Sequence, residues 1–209
     1  MKKRILYESV YKKLNKITPL WKDCGLLCGH ACCHGSNQET LGMYLYPGEE
    51  VMINGDVNKG FTVTQTNLKY ADQFGIRHNT LLLVCNGECD RNLRPLSCRM
   101  FPLVPYIDRK DILKVKIDPR ARAICPLTET KNTALIEDKF LYHVRNSAQM
   151  LAKDEEIREF IKALSLVLDE YERNPFYSRQ IQFTCGPKSL EKSWFAKRLK
   201  ALAFGRKRF

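Results

Sequence analysis

Residues 85–102 read Cys85-Asn-Gly-Glu-Cys89-Asp-Arg-Asn-Leu-Arg94-Pro95-Leu-Ser-Cys98-Arg99-Met-Phe101-Pro102, three thiols set among turn-forming residues. A second group lies upstream, Asp23-Cys24-Gly-Leu-Leu-Cys28-Gly-His-Ala-Cys32-Cys33-His34-Gly35, and Cys125-Pro126 lies downstream. Eight of the nine cysteines therefore fall between Cys24 and Cys125, too dense for ordinary packing residues. Cysteines a few residues apart in a tight turn bring two sulfurs to one ion. Gly25, Gly29 and Gly87 ease the turning backbone and bare amides that can donate to sulfur. Ordering such a loop-rich segment costs roughly 1–2 kcal/mol per residue, whereas a thiolate metal site contributes about 10–16 kcal/mol. Metal is therefore expected to organise this region.

The expected ligands are Cys24, Cys28, Cys32, Cys33, Cys85, Cys89, Cys98 and Cys125. They suffice for two tetrahedral sites or for one cluster with thiols to spare. Adjacent side chains of an extended backbone point apart, so Cys32 and Cys33 are not expected on one mononuclear ion. Two neighbouring metals, or one polynuclear cluster with one thiol outside it, fit better, and a vicinal disulfide is the rare alternative. His30 and His34 are expected beside the metal rather than on it. Zinc and an iron–sulfur cluster of the 4Fe–4S type are both held by four thiolates, and the spacing fits either. Arg94 and Arg99 would offset the excess negative charge of such a site or contact an anion. Pro95 and Pro102 would stiffen a loop presenting Cys98. Cys185 stands apart and is expected to be a small buried apolar residue.

Outward from the cysteines, Phe61-Thr-Val-Thr-Gln-Thr, Leu81-Leu-Leu-Val-Cys85 and Ile112-Leu-Lys-Val-Lys-Ile117 read as strands. Pro47-Gly48 marks a turn, and Glu49-Glu50 suits the first turn of a short helix. From about Thr133 the period becomes helical. One helix carries Leu135, Ile136, Phe140, Val144 and Leu151; a second carries Ile157, Phe160, Ile161, Leu164, Leu168 and Tyr171 and stops at Asn174-Pro175. A short β-like piece is expected at 181–184. The fold class expected is α+β, a small irregular cysteine-rich metal-binding domain with short strands, flanked by C-terminal helices. Its parts are a basic amphipathic segment (1–22), the cysteine domain (23–130), a helical pair packed on it (131–187) and a basic amphipathic tail (188–209).

The net charge of +12 sits at the ends. Residues 1–22 hold seven Lys/Arg and one Glu, and residues 188–209 hold eight and one, which leaves the body near neutral. Basic ends suit an acidic partner, nucleic acid or a membrane surface. The longest purely apolar run is Leu81 to Val84, too short to span a bilayer, and no signal-peptide core follows the charged start. A cytoplasmic location is the resulting expectation, and there thiols stay reduced and serve metals or catalysis.

The string from Cys89 to Pro102, with the head from Cys28 to Cys33, resembles the YkgJ-type cysteine-cluster family, the CxxCxxCC zinc- or iron-chelating domain. Cys89, Arg94, Pro95, Cys98, Arg99, Phe101 and Pro102 match its C-x5-RPxxCRxFP block, and Cys85 and Cys125 match the flanking cysteines. The head reads C-x3-C-x3-CC where the family has C-x2-C-x2-CC. The resemblance covers about residues 24–127. It implies chelation of zinc or iron by these thiols, with no assigned activity. A related cluster occurs in flagellin lysine N-methylases, so a protein-lysine N-methylase-like enzyme carrying an iron–sulfur cluster and using S-adenosylmethionine is an implied alternative, although no Gly-rich strand–loop–helix signature accompanies it. A zinc-stabilised nucleic-acid-binding module, using Trp194 and Phe195 with the basic ends, is the other alternative.

Overall fold

The first helical period forms α1 (Lys2–Leu14), and Tyr7, Val10 and Leu14, spaced i, i+3, i+7, form its buried face. Ile5, on the same helix, is exposed to solvent. The computed structural model describes residues 2–33, 42–53, 61–85, 90–129 and 133–173. The β-like piece expected at 181–184, Cys185 and the basic tail lie outside the described residues.

The cysteine head contains one short helix, α2 (Gly25–Cys28), where only irregular chain was expected. Next comes an antiparallel sheet of β1 (Gly42–Tyr44), β2 (Phe61–Ala71) and β3 (Arg77–Cys85), in the order β1-β3-β2. Its register sets Phe61 opposite Cys85, Val63 opposite Leu83 and Gly42 opposite Val84. Both β2 and β3 run further than their apolar alternation indicated. They join through a turn in which one Asp72 carboxylate oxygen accepts from the Phe74 and Ile76 amides, each at 2.9 Å, while the other lies 2.9 Å from His78 Nε2.

Cys98 sits not on a loop but on a helix, α3 (Leu96–Met100). Pro95 precedes its first turn, where a missing amide costs nothing. The following β4 (Leu103–Ile107) pairs with β5 (Leu113–Ile117), and β4 was not legible because of Pro105. A proline removes a ladder donor, yet these two strands form their own two-stranded sheet, so each has an edge on which no donor is required.

The helical half is α4 (Asp138–Leu151) and α5 (Glu155–Arg173), the latter ending where Asn174-Pro175 begins. Phe140, Val144 and Leu151 from α4, and Ile157, Phe160, Ile161, Leu164 and Leu168 from α5, join the α1 face, Leu96, Met100 and β4 in one core. Each fully buried side chain of this size contributes about 1.5–3 kcal/mol. Lys3 reaches Glu156, whose other oxygen accepts from Tyr70 at 2.6 Å, so α1, α5 and β2 are also tied by charge. The fold is α+β with C-terminal helices, and no helix among the described residues is long and apolar enough to cross a membrane.

Candidate metal centre

Five thiols from three separate stretches of chain line one cavity of about 50 Å³. Cys24, Cys28 and Cys32 come from the head, Cys98 from α3 and Cys125 from the chain after β5. The remaining wall is apolar, with Leu20, Phe101, Ile124 and Leu127 among its residues, and arginine side chains 91, 94 and 99 close it. Cys24 and Cys28 lie four residues apart, about one helical turn, and so share a side of α2. The Cys28 thiol lies 3.7 Å from the Cys24 carbonyl. Among the described residues, no three Cys, His, Asp or Glu side chains close on a single point as bound ligands would.

The head bends by left-handed backbone. Gly29, at φ +62°, ends α2 and its amide donates to the Gly25 carbonyl; His30 follows at φ +55° and donates to the same oxygen at 3.0 Å. A Cβ on Gly25 would meet the His30 ring at 2.2 Å. His30 therefore packs over the turn and does not line the cavity. Gly29→Ala is expected to cost about 1–2 kcal/mol, the penalty of an L-residue in this conformation, read as a lowered urea midpoint at unchanged slope.

Cys125 is held between two 3-10 turns, Pro119–Ala123 and Pro126–Thr128. Its amide donates to the Ala121 carbonyl at 2.7 Å, and the Thr128 hydroxyl donates to its carbonyl at 2.7 Å. Behind it, Leu20 and Leu127 form a small apolar cluster on which Cys24 and Cys125 both rest. The Glu137 amide donates to the Pro19 carbonyl at 2.8 Å and fastens this corner to the helical half.

Arg99 and Arg91 are braced. Arg99 donates through Nε to the Arg94 carbonyl at 2.7 Å and through an Nη to the Asn92 carbonyl at 2.6 Å, and its guanidinium stacks 4.5 Å from the Tyr11 ring centre. Burial draws its pKa below the ordinary guanidinium value. Arg91, which the sequence did not single out, pairs with Asp23 at 3.2 Å and donates to the Ile17 carbonyl at 3.4 Å. Burial pushes the Asp23 carboxyl up, but the Gly25 amide and the Arg91 and Arg94 charges outweigh it and hold the pKa down. Such commitments suit arginines that hold the loop and offset thiolate charge rather than ones that reach for a ligand.

A buried carboxylate carries this arrangement. Glu49, 0% exposed, accepts from the Leu96 amide at 2.7 Å and the Tyr46 amide at 2.9 Å, and from the Tyr11 hydroxyl at 2.7 Å. It thereby satisfies an orphan amide at the start of α3 and ties the helix bearing Cys98 and Arg99 to α1. Burial pushes its pKa up, opposed by these three donors. The sequence marked Glu49 only as a helix-start residue, since nothing local announces its burial.

Burial first, then the charges of Cys28 and Asp23, push the Cys24 thiol up to about 11. Burial pushes the Cys125 thiol up to about 12, against the Leu127 and Thr128 amides that favour its thiolate. Both folded values exceed the ordinary 9.0, so between pH 9.0 and about 11 the folded chain keeps protons that the unfolded chain releases. Stability of the metal-free protein is therefore present below pH 9.0 and falls as pH rises through that window, by about 1.4 kcal/mol per pH unit for each thiol. Thermal unfolding of chelator-treated, reduced protein from pH 8 to pH 11 checks this, pH 8 being roughly below the ordinary thiol range.

The other thiols are placed differently. Cys33 and Cys85 do not line the cavity, and Cys85 packs beside Leu45, Ile53, Phe61 and Leu83 under the three-stranded sheet. Cys32 is a thiol and not half of a vicinal disulfide. Cys89 and His34 lie outside the described residues. No family model, curated protein or solved structure matches this chain.

Proposed function

We propose that this protein holds a metal centre in the five-thiol cavity, with Cys98, Cys125 and two of Cys24, Cys28 and Cys32 as thiolate ligands. The observation that supports it is that Cys24 and Cys125, 101 residues apart in sequence, line one cavity together with three further thiols. Chance packing of apolar cysteines does not gather five thiols while aligning arginines along the same wall. The donor set fits zinc or an iron–sulfur cluster, both of which take four thiolates.

Bound there, an iron–sulfur cluster would supply one-electron redox chemistry. The chain's own residues would supply the rest. Arg94 and Arg99 would offset the charge, the Leu127 and Thr128 amides would donate to the Cys125 sulfur, and Leu20 and Leu127 would exclude water. Membership of the YkgJ-type cysteine-cluster family and a cytoplasmic location belong to the same proposal, resting on the RPxxCRxFP string and on the need for reduced thiols. Cys33 and Cys85 stand outside the ligand set.

Protein purified without air is expected to be brown, with about four irons and four acid-labile sulfides per chain. A colourless protein with about one tightly held zinc would make the centre a closed structural site. Protein that carries neither above trace level, and takes up neither on reconstitution, would overturn the proposal.

A further inference from the structure

On the cysteine helix and in the chain that leads into it, two large apolar side chains stand in solvent. Trp21 is 56% exposed and Leu26 is 61% exposed. Leu26 lies midway between Cys24 and Cys28, about half a helical turn from each, and so points away from the cavity that those two line. Trp21 follows Leu20, whose side chain is buried in the cavity wall. The Lys22 ammonium lies 4.2 Å from the Trp21 ring centre, which sets a cation beside the exposed indole.

The chain leading to this rim is strongly basic. From Ser9 to Lys22 it holds four lysines, Lys12, Lys13, Lys16 and Lys22, and no Asp or Glu. All four are exposed, and none forms an ion pair among the described residues. Asp23, between Trp21 and Leu26 in the chain, is paired with Arg91. The start of α4, fastened to Pro19, adds Glu137, Asp138 and Lys139, so the neighbourhood carries six positive and three negative charges, a net of +3.

We infer that this rim, Trp21 and Leu26 with Lys12, Lys13, Lys16 and Lys22, docks on an anionic lipid surface. An indole and an aliphatic side chain enter the headgroup–acyl boundary, while the lysine ammoniums stay at the phosphates. The composition separates this occupant from the others. Lysine is depleted from protein–protein interfaces, and an isobutyl group has no face on which a nucleic-acid base can stack. The inference stands apart from the thiolate centre, since both apolar side chains point outward and neither is a proposed ligand.

The two tryptophans of the chain make the test direct. In the full-length Trp194→Phe variant, Trp21 is the sole indole. Its emission is expected to shift to the blue with vesicles of phosphatidylcholine containing about 30% phosphatidylserine, and to be quenched by brominated acyl chains. Vesicles of phosphatidylcholine alone should give neither change. Lys16→Ala/Lys22→Ala should weaken cosedimentation with the anionic vesicles roughly 25-fold, at about fivefold per lysine. Trp21→Ala/Leu26→Ala should weaken it by roughly tenfold or more while leaving metal content unchanged. An indole unmoved by anionic vesicles overturns the inference. So does cosedimentation that survives Trp21→Ala/Leu26→Ala undiminished, since another basic segment would then carry the binding. A response of Trp21 to oligothymidylate but not to vesicles overturns it in favour of nucleic acid.

Discussion

Replacing Cys98 or Cys125 by serine is expected to lower metal affinity by more than ~100-fold, because even partners outside the ligand set typically cost 10–100-fold. A serine hydroxyl does not ionise near neutral pH and offers a hard oxygen in place of a polarisable sulfur, so the fourth bond is lost. The two residues arrive from different elements, α3 and the chain after β5, so either loss leaves the centre open on that side. Cys85→Ser is the contrasting case. Its side chain packs with Leu45, Ile53, Phe61 and Leu83, and the variant should keep its metal while losing about 1 kcal/mol of stability to a hydroxyl in an apolar setting. Metal per chain after dialysis against a competing chelator, with circular dichroism to confirm the fold, reads all three. Metal retained by Cys98→Ser and Cys125→Ser alike would remove the five-thiol cavity as the binding site.

Glu49→Ala should cost the most stability of any single change at a polar position, about 3–5 kcal/mol. It strands the Leu96 and Tyr46 amides and the Tyr11 hydroxyl inside the protein, and it leaves a cavity as well. For a chain of this size that corresponds to a fall in Tm of roughly 10 °C or more. Glu49→Gln keeps the shape and one acceptor oxygen but turns an NH2 group toward one of the donors, so it should fall between Glu49→Ala and the parent. Because Glu49 holds the start of α3, the glutamine variant should also bind metal more weakly with every thiol intact. Calorimetric scans of both variants, paired with chelator competition, separate these two consequences.

Much of the helical half was written locally. Phe140, Val144 and Leu151, and Ile157, Phe160, Ile161, Leu164 and Leu168, recur at helical spacing and lie in the core as that spacing requires. Strand β4 was hidden because Pro105 argues against a ladder, an argument that fails only for a strand with a spare edge. The helix carrying Cys98 was hidden because its five residues are too few to show a period. Arg91 sat in the same string as Arg94 and Arg99, yet nothing in the string distinguished it before its contact with Asp23 was seen.

Residue types, their density and their periodicity are properties of neighbours along the chain. From these alone came the α+β class, the C-terminal helices, the basic opening segment and the segments that bear the thiols. Which thiols share a cavity depends on contacts between residues far apart in sequence. The register of β3 carries Cys85 into an apolar cluster, and the turn after β5 brings Cys125 against Leu20 and Cys24. Glu49 shows the same division. Its carboxylate is local chemistry, but its burial among the Leu96, Tyr46 and Tyr11 donors exists only once α1 and α3 have packed against each other.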